Sequence, residues 1–431
     1  MTTSYLKRPR EPAPGARGEV SRTVSEILAE IESRGAEAVR EHSRRLDGWD
    51  PPDFRVGDDE IAAATDAVPE DLRRHIEFAQ RQIRGFAEAQ RETVLDLEVE
   101  TLSGVLLGHR HVPVGSVGAY VPGGRYPMLA SAFMTILTAK VAGVERVVAA
   151  APPRREEGGI HPYMLHAMVT SGADEILCLG GVQALGAMAF DTEVIEPVDM
   201  IVGPGNPYVA EAKRQLFGRV GIDLHAGPTE IVVIADDSAD PELVAADLLG
   251  QAEHGPDSPA GLITPSRELG QQVLEAVEGL LGTWPTAEVA GAAWSERGWI
   301  AIVDGDAEAV ALANEQAPEH LEVQVTEARL DWYLDRLVNY GGLFLGEEAT
   351  VVYGDKAIGT NHVLPTGRAA RFTGGLWVGK FLKTLTYQQV TREGTAQIAP
   401  VAAAISRAER FEGHAITAEM RLRGAARPAE R

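Results

Sequence analysis

The chain has 431 residues, with 40 lysines and arginines against 63 aspartates and glutamates, a formal charge of −23. A surface this acidic repels phosphate backbones and anionic lipid, so neither nucleic-acid nor membrane binding is expected. A hydrophobic content of 45% and a charged content of 24% suit a globular protein of two or three domains. The one cysteine, Cys178, can form neither an internal disulfide nor a thiolate zinc cage, and the chain reads as cytoplasmic. The amino terminus lacks the apolar segment of a signal peptide, and no run approaches the roughly 18 apolar residues of a membrane span.

Residues 11–18 form a Pro/Gly linker that sets residues 1–20 apart as an amino-terminal arm. Val24, Ile27, Leu28 and Ile31 recur at helical spacing, and a second amphipathic helix is expected over 69–90. Short apolar strands follow at 146–151, 175–179, 200–202 and 231–235, separated by helix-length segments at 129–142, 161–171, 182–190 and 207–218. Strand and helix alternating at this spacing imply parallel βαβ units with right-handed crossovers. A second set runs through a helix at 241–254, strands at 261–264 and 300–303, a helix at 307–316 and strands at 321–325 and 343–345. The expected fold is therefore α/β, with two Rossmann-like domains whose sheets are mostly parallel. One domain spans 121–228, the other combines 21–120 with 229–376, and a helical tail covers 377–431.

Parallel sheets place ligands at the carboxyl ends of their strands, and the positions just after the strands are expected to be the glycine-rich ones: Val121-Pro-Gly-Gly-Arg125, Gly180-Gly-Val-Gln183, Val202-Gly-Pro-Gly-Asn206 and Ala226-Gly-Pro-Thr-Glu230. Each lets backbone approach a ligand closely, and helix amino ends favour phosphate. Any one of them serves equally as a tight turn; their clustering points to a nucleotide.

Three polar islands stand out. Gln251 and His254 lie at the end of a helix that begins with an Asp240 cap and Pro241, on the side of its apolar stripe. A metal satisfies such groups, and so does an ordinary capped helix end. Glu319 and His320 are adjacent immediately before a strand, a place suited to acid/base groups. Asp355 and His362 fall in a Gly- and Pro-punctuated loop that reads as a shaped site. Glu409 and His414 lie on a charged carboxy-terminal helix where solvation is the ordinary explanation.

The longer motifs are specific: Val121-Pro-Gly-Gly124, Ala139-Lys-Val-Ala-Gly143, Val202-Gly-Pro-Gly-Asn206, Glu211-Ala-Lys-Arg-Gln215, Gln251-Ala-Glu-His-Gly-Pro-Asp-Ser258, Pro318-Glu-His-Leu321 and Gly359-Thr-Asn-His-Val-Leu-Pro-Thr366. On these the chain resembles histidinol dehydrogenases over nearly its whole length. The resemblance implies an NAD-dependent enzyme with one zinc per subunit that oxidises a primary alcohol through an aldehyde to a carboxylate. It also implies a homodimer whose tail crosses to the partner subunit. Carried over, Gln251, His254 and Asp355 become zinc ligands, with His414 donated in trans. Glu319 activates water for the second step, and His320 takes the alcohol proton. Tyr120, Gln183 and Asn206 become NAD contacts, placing NAD on 121–228 and zinc and substrate on the other domain. Thr229, Gln251, His254, His320, Asp355, Lys356, His362, Glu409 and His414 become the substrate side.

The departures from histidinol dehydrogenases cluster at that substrate side. Val351 stands where a glutamate is usual, Lys356 where a tyrosine is, Thr229 where a serine is, and Arg125-Tyr-Pro replaces small residues. Over 351–392, Lys356, Arg368, Arg371, Lys380, Lys383 and Arg392 face Asp355 alone. Loss of an acid and gain of a base point to an anionic substrate. With Asp331-Trp-Tyr-Leu, Gly374-Gly-Leu-Trp-Val and Lys383-Thr-Leu-Thr-Tyr-Gln-Gln, the chain looks closer to sulfopropanediol dehydrogenases, which oxidise 2,3-dihydroxypropane-1-sulfonate to sulfolactate. L-Histidinol remains the alternative, because Glu409 is kept.

Overall fold

A computed structural model describes residues 3–10, 16–123, 126–154 and 156–425. The chain divides into two compact units, residues 1–90 with 114–380, and residues 91–113 with 381–431. Gly124 and Arg125 of the first glycine loop lie outside the described residues.

The first unit holds both expected parallel sheets. In the smaller, strands Glu175–Cys178, Arg146–Ala151, Ser116–Tyr120, Met200–Val202 and Gly221–Ile222 lie side by side in that order, all parallel. In the larger, the order is Ser4–Lys7, Trp299–Ile302, Ala260–Thr264, Ile231–Ala235, His320–Gln324 and Gly342–Leu345. Only Ser4–Lys7 runs antiparallel, so the amino-terminal arm closes an edge of that sheet. Every residue of Arg146–Ala151 from Val147 on, and all of Ile231–Ala235, Ala260–Thr264 and His320–Gln324, is buried. That is the signature of strands covered by helices on both faces.

Domain boundaries differ from expectation in three ways. The helices Ala16–Arg34 and Ala36–Leu46, which the sequence reading grouped with the larger sheet, pack instead on Gly181–Ala189 and Pro207–Leu216 over the smaller one. Their stripe decides this: Val24, Ile27, Leu28 and Ile31 are buried in one core with Leu177, Leu185 and Ile201. Ser116–Tyr120, also grouped with the larger sheet, is the central strand of the smaller one. Finally, the tail is not wholly helical. Leu382–Val390 is a strand paired antiparallel with Val105–Pro113, which pairs in turn with Leu97–Leu102. Two helices, Arg392–Ala408 and Glu412–Ala425, complete this second unit. The alternating Leu97, Val99, Tyr387 and Gln389 had no periodicity strong enough to separate the strands from the helix before them.

Helices Arg267–Leu281 and Ala287–Arg297 fill a stretch that carried no assignment. The helix expected over 129–142 contains a π turn, Phe133–Leu137, between α-helical ends. The Thr135 hydroxyl donates to the carbonyl of Ser131 there (2.7 Å), and such turns often mark functional positions.

One buried ion pair fixes the loop after Met200–Val202. Lys213 and Asp223 are 1% and 5% exposed and pair directly. Lys213 Nζ also donates to the Gly203 carbonyl (2.8 Å), and Asp223 accepts the Gly203 N–H (2.8 Å). Gly203 has φ +115°, and a Cβ there would lie 2.1 Å from the Tyr120 carbonyl oxygen, so glycine is required. Removing one partner leaves the other charge buried and uncompensated. Lys213→Met is expected to cost about 3–5 kcal/mol in urea unfolding, and Lys213→Met with Asp223→Leu clearly less. Equal losses for single and double variants would show that the pair does not carry this stability.

Candidate active site

The larger sheet presents its site at the amino ends of its strands, not the carboxyl ends. Thr229 and Glu230 immediately precede Ile231–Ala235, and Glu319 and His320 open His320–Gln324. Helix Pro241–Ala252, capped by the Asp240 carboxylate accepting from Glu242 N–H (2.8 Å), delivers Gln251 in its last turn and His254 just beyond. The short helix Val351–Lys356 delivers Asp355 at its own carboxyl end. Both helix ends turn partial negative charge toward the cluster, an arrangement that favours a cation.

The polar groups are closely connected. Gln251 Nε2 donates to the Thr229 hydroxyl, which donates to Glu319 Oε2 (2.5 Å). The Glu230 N–H donates to the same Glu319 oxygen (3.0 Å). Gln251 Nε2 lies 3.2 Å from His320 Nδ1, which is also 3.1 Å from the Glu230 carbonyl. His320 Nε2 is buried without a hydrogen-bond partner and is 3.6 Å from Asp355 Oδ1. Glu319, His320 and Asp355 are 6%, 2% and 8% exposed, so their charges interact through little water.

Burial pushes the Glu319 carboxyl up to about 7, opposed by His320 and the Thr229 hydroxyl. Burial works to lower the His320 imidazole, but the Glu319 and Asp355 carboxylates prevail and hold it at about 9. Burial would also raise Asp355, yet His320, with His362 and Lys356, holds it well below the usual carboxylate range. The His254 imidazole is lowered by burial, with Lys356 and His320 adding to the effect against Asp355.

With Nε2 of Gln251 donating to Thr229, its carbonyl oxygen is the end of the amide available to a cation. Gln251, His254 and Asp355 then offer oxygen, nitrogen and oxygen donors, a set that fits zinc. Counting histidine, cysteine and carboxylates alone, no three described residues gather to hold a metal. The set thus depends on the amide and on a donor from elsewhere.

His362 sits against this cluster. Its Nε2 is 2.9 Å from Ser131 Oγ and its Nδ1 3.1 Å from the Asp355 carbonyl, so both nitrogens are engaged by protein. It fixes the Asp355 backbone against the π-turned helix. Beside Asp355 and His362 opens a cavity of about 510 Å³ walled by Phe86, Tyr340, Phe344, Tyr353 and Trp377. Glu409 and His414 belong to the second unit, where both are exposed; Glu409 caps Arg392–Ala408, and His414 packs edge-on to Phe411 (5.3 Å).

Two expectations about the substrate side change. The Val351 side chain does not face the cavity; it is buried in the core beneath Val244, Leu248 and Leu262. The basic stretch also divides, with Lys383 and Arg392 on the second unit and Lys380 donating to Thr373 Oγ1 (2.6 Å). Lys356 is the cation of that stretch whose charge acts on His254, Asp355 and His362.

The glycine loops of the smaller sheet follow its strands at their carboxyl ends, as a dinucleotide site requires. The buried Tyr120 hydroxyl accepts the Gly181 N–H (3.2 Å). Gln183 Nε2 donates to Asp47 (2.7 Å), and Gln183 Oε1 is buried without a partner, an acceptor left for a ligand. Helix Gly181–Ala189 has no side-chain cap at Gly180, so the N–H groups that follow Gly181 in its first turn remain available to phosphate. Asn206, by contrast, commits Oδ1 to the N–H groups of Tyr208 and Val209 and keeps only its amide nitrogen for a ligand. Asp47, Ser131 and Glu230 escaped the sequence reading because each lies far along the chain from the residue it holds.

The histidinol dehydrogenase family model matches residues 12–422. The chain belongs to the histidinol dehydrogenase family. It is 56% identical over 406 residues to a histidinol dehydrogenase homolog of Shouchella clausii, covering 94% of this chain and 95% of the relative. It is 45% identical over 424 residues to the sulfopropanediol 3-dehydrogenase of Ruegeria pomeroyi, covering 98% and 97%. The histidinol dehydrogenase structure from Elizabethkingia anophelis superposes with a TM-score of 0.89 at 36% identity, over 97% of this chain and 94% of that one. The chain is thus an NAD-dependent oxidoreductase of this family, acting on alcohol and aldehyde groups. Among the described residues no helix is long and apolar enough to cross a membrane.

The Thr229 hydroxyl joins Gln251 to Glu319, so its loss removes one hydrogen-bond partner from each of two buried groups. Thr229→Val is expected to cost about 1–3 kcal/mol in thermal unfolding, whereas Thr229→Ser stays close to the parent. A harmless valine would show that the hydroxyl is not the link.

Proposed function

We propose that this chain is a zinc- and NAD-dependent dehydrogenase that oxidises a small anionic diol, of the 2,3-dihydroxypropane-1-sulfonate type, to sulfolactate. The observation that carries the anionic preference is Lys356. It follows Asp355 directly and its charge is felt by three groups of the cluster. A cation so placed favours a sulfonate and disfavours an ammonium group. The 45% identity to a sulfopropanediol 3-dehydrogenase supports the same reading. Histidinol is the second reading, supported by the kept Glu409 and by the histidinol dehydrogenase homolog from Shouchella clausii.

Gln251, His254 and Asp355 would hold the zinc, with the partner's His414 as fourth donor in a homodimer. The second unit supports a dimer, because its two helices leave Ile398, Val401, Ile405, Ile416 and Met420 exposed, with Phe411 exposed between them. Tyr120, Gln183 and Asn206 would bind NAD. When bound, zinc supplies a Lewis-acidic anchor for substrate oxygen, and NAD supplies the hydride acceptor.

The chain's own residues do the proton work. His320, on which its two carboxylate neighbours hold a proton up to about pH 9, takes the hydroxyl proton in its neutral form as hydride leaves the carbinol carbon. In the second oxidation Glu319 takes a proton from water, whose oxygen adds to the aldehyde carbon before the second hydride leaves. One water and two hydride transfers thus convert the primary alcohol to a carboxylate. Burial suits Glu319 to this task, since a carboxyl near 7 is a stronger base than an exposed one. Thr229 and the Glu230 N–H hold its carboxylate in place.

Two measurements check this assignment. With both alcohols assayed side by side, the sulfonate diol is expected to turn over faster, and Lys356→Ala to raise its KM roughly tenfold with kcat largely kept. Robust turnover of histidinol with none of the sulfonate overturns the substrate reading. Oxidation of a supplied aldehyde needs ionised Glu319, so its rate is expected to fall as pH drops through about 7. Glu319→Gln should abolish that limb and slow the aldehyde step more than the alcohol step. Equal slowing of both would remove Glu319 from the water step.

A further inference from the structure

One buried group of ionisable side chains has no part in that chemistry. Along the strand His320–Gln324, side chains alternate between faces, so His320, Glu322 and Gln324 share one face while Leu321 and Val323 enter the opposite core. A polar face on a central, fully buried strand is costly unless every group is paired. Here the partners come from the two helices that carry the other site residues. Glu322 Oε1 accepts the Val351 N–H (3.0 Å), and Asp247 Oδ1 accepts the Thr350 hydroxyl (2.9 Å). Both carboxyls therefore grip the first turn of the short helix whose last turn holds Asp355. Gln324 Nε2 bridges them, donating to Asp247 Oδ2 (2.9 Å) and Glu322 Oε2 (3.2 Å).

Asp247 lies one turn before Gln251 on Pro241–Ala252, and Glu322 two residues after His320 on the strand. Gln324 thus brings the two carboxyls together on one amide nitrogen. Burial raises both, Glu322 well above the ordinary carboxyl range. Neither group lines the cavity beside Asp355.

We propose that Asp247 and Glu322 are positioning residues that lock three elements at one spacing: the strand bearing His320, the helix bearing Gln251 and His254, and the helix bearing Asp355. The inference rests on the reading of Gln251, His254 and Asp355 as one zinc-donor set. Metal donors must be held to within a few tenths of an ångström, and side chains that orient them typically matter 10–100-fold in metal affinity.

The test is zinc affinity of the full-length enzyme, read by competition with a chromophoric chelator, alongside the unfolding temperature of the metal-free protein. Glu322→Ala is expected to weaken zinc binding about 10–100-fold. Glu322→Gln keeps the acceptor for Val351 and offers a hydrogen to Asp247, so it is expected to restore affinity to within a few-fold. Thr350→Val, which removes a single bond to Asp247, gives a smaller loss and serves if the alanine variant does not fold. Ile27→Ala, a truncation in the separate core of the smaller sheet, should lower the unfolding temperature without moving zinc affinity. Asp355→Ala separates the two readings. If it leaves zinc affinity unchanged, the donor set itself is wrong. If it abolishes binding while Glu322→Ala and Thr350→Val leave affinity at the parent value, the positioning role is refuted.

Discussion

The site depends on keeping three ionisable groups almost dry at the end of one strand. Glu319, His320 and Asp355 are each less than a tenth exposed, and in such surroundings charges act on each other several times more strongly than in water. Left alone they would be expensive to bury. The fold meets that cost by surrounding them with hydrogen-bond partners: the Thr229 hydroxyl and Glu230 N–H donate to Glu319, and the Glu230 carbonyl faces His320 Nδ1. The same desolvation makes Glu319 a better base than a surface glutamate and leaves His320 Nε2 unpartnered, directed toward Asp355. Stability and reactivity thus have a common origin in the exclusion of water.

That arrangement also explains the division of the first unit. The smaller sheet offers carboxyl-end loops and an uncapped helix amino end, features that attract anions. The larger sheet offers strand amino ends and helix carboxyl ends, features that attract cations. Contacts between the two halves are specific: Ser131 meets His362, and the Asn361 amide donates to the Met134 carbonyl (2.8 Å) across the π turn. The π turn therefore joins the two halves beside Asp355.

Much of this was legible in sequence because the chemistry is local. Gln251 and His254 are three residues apart on a helix, Glu319 and His320 are adjacent, and the buried parallel strands are short runs of β-branched and small apolar residues. The π turn was not legible, because nothing in 129–142 distinguishes i→i+5 from i→i+4 bonding. The second unit was misread because the strand at 382–390 takes its partner, Val105–Pro113, from most of the chain away, and its own residues carry no signal of that pairing. Asp47 and Glu322 were passed over for a related reason: an acid has meaning only with its partner, and Gln183 lies 136 residues beyond Asp47. The strand over 321–325 was expected, yet the alternation that places Glu322 and Gln324 on the face of His320 was visible in it and went unused.

Position also decides which substitutions bear on the substrate. Val351 replaces an acid common in histidinol dehydrogenases, and on sequence alone that reads as a loss of negative charge from the pocket. The side chain is instead part of the core, where a carboxylate would itself need a partner, and the nearest buried acid, Glu322, already accepts the N–H of residue 351. A second carboxylate there would stand beside one that burial has already forced to keep its proton. Valine at 351 therefore belongs with the Asp247 and Glu322 pairing beneath the site. Lys356, further along the same helix, is by contrast exposed and directly after Asp355, and its charge acts on His254, Asp355 and His362.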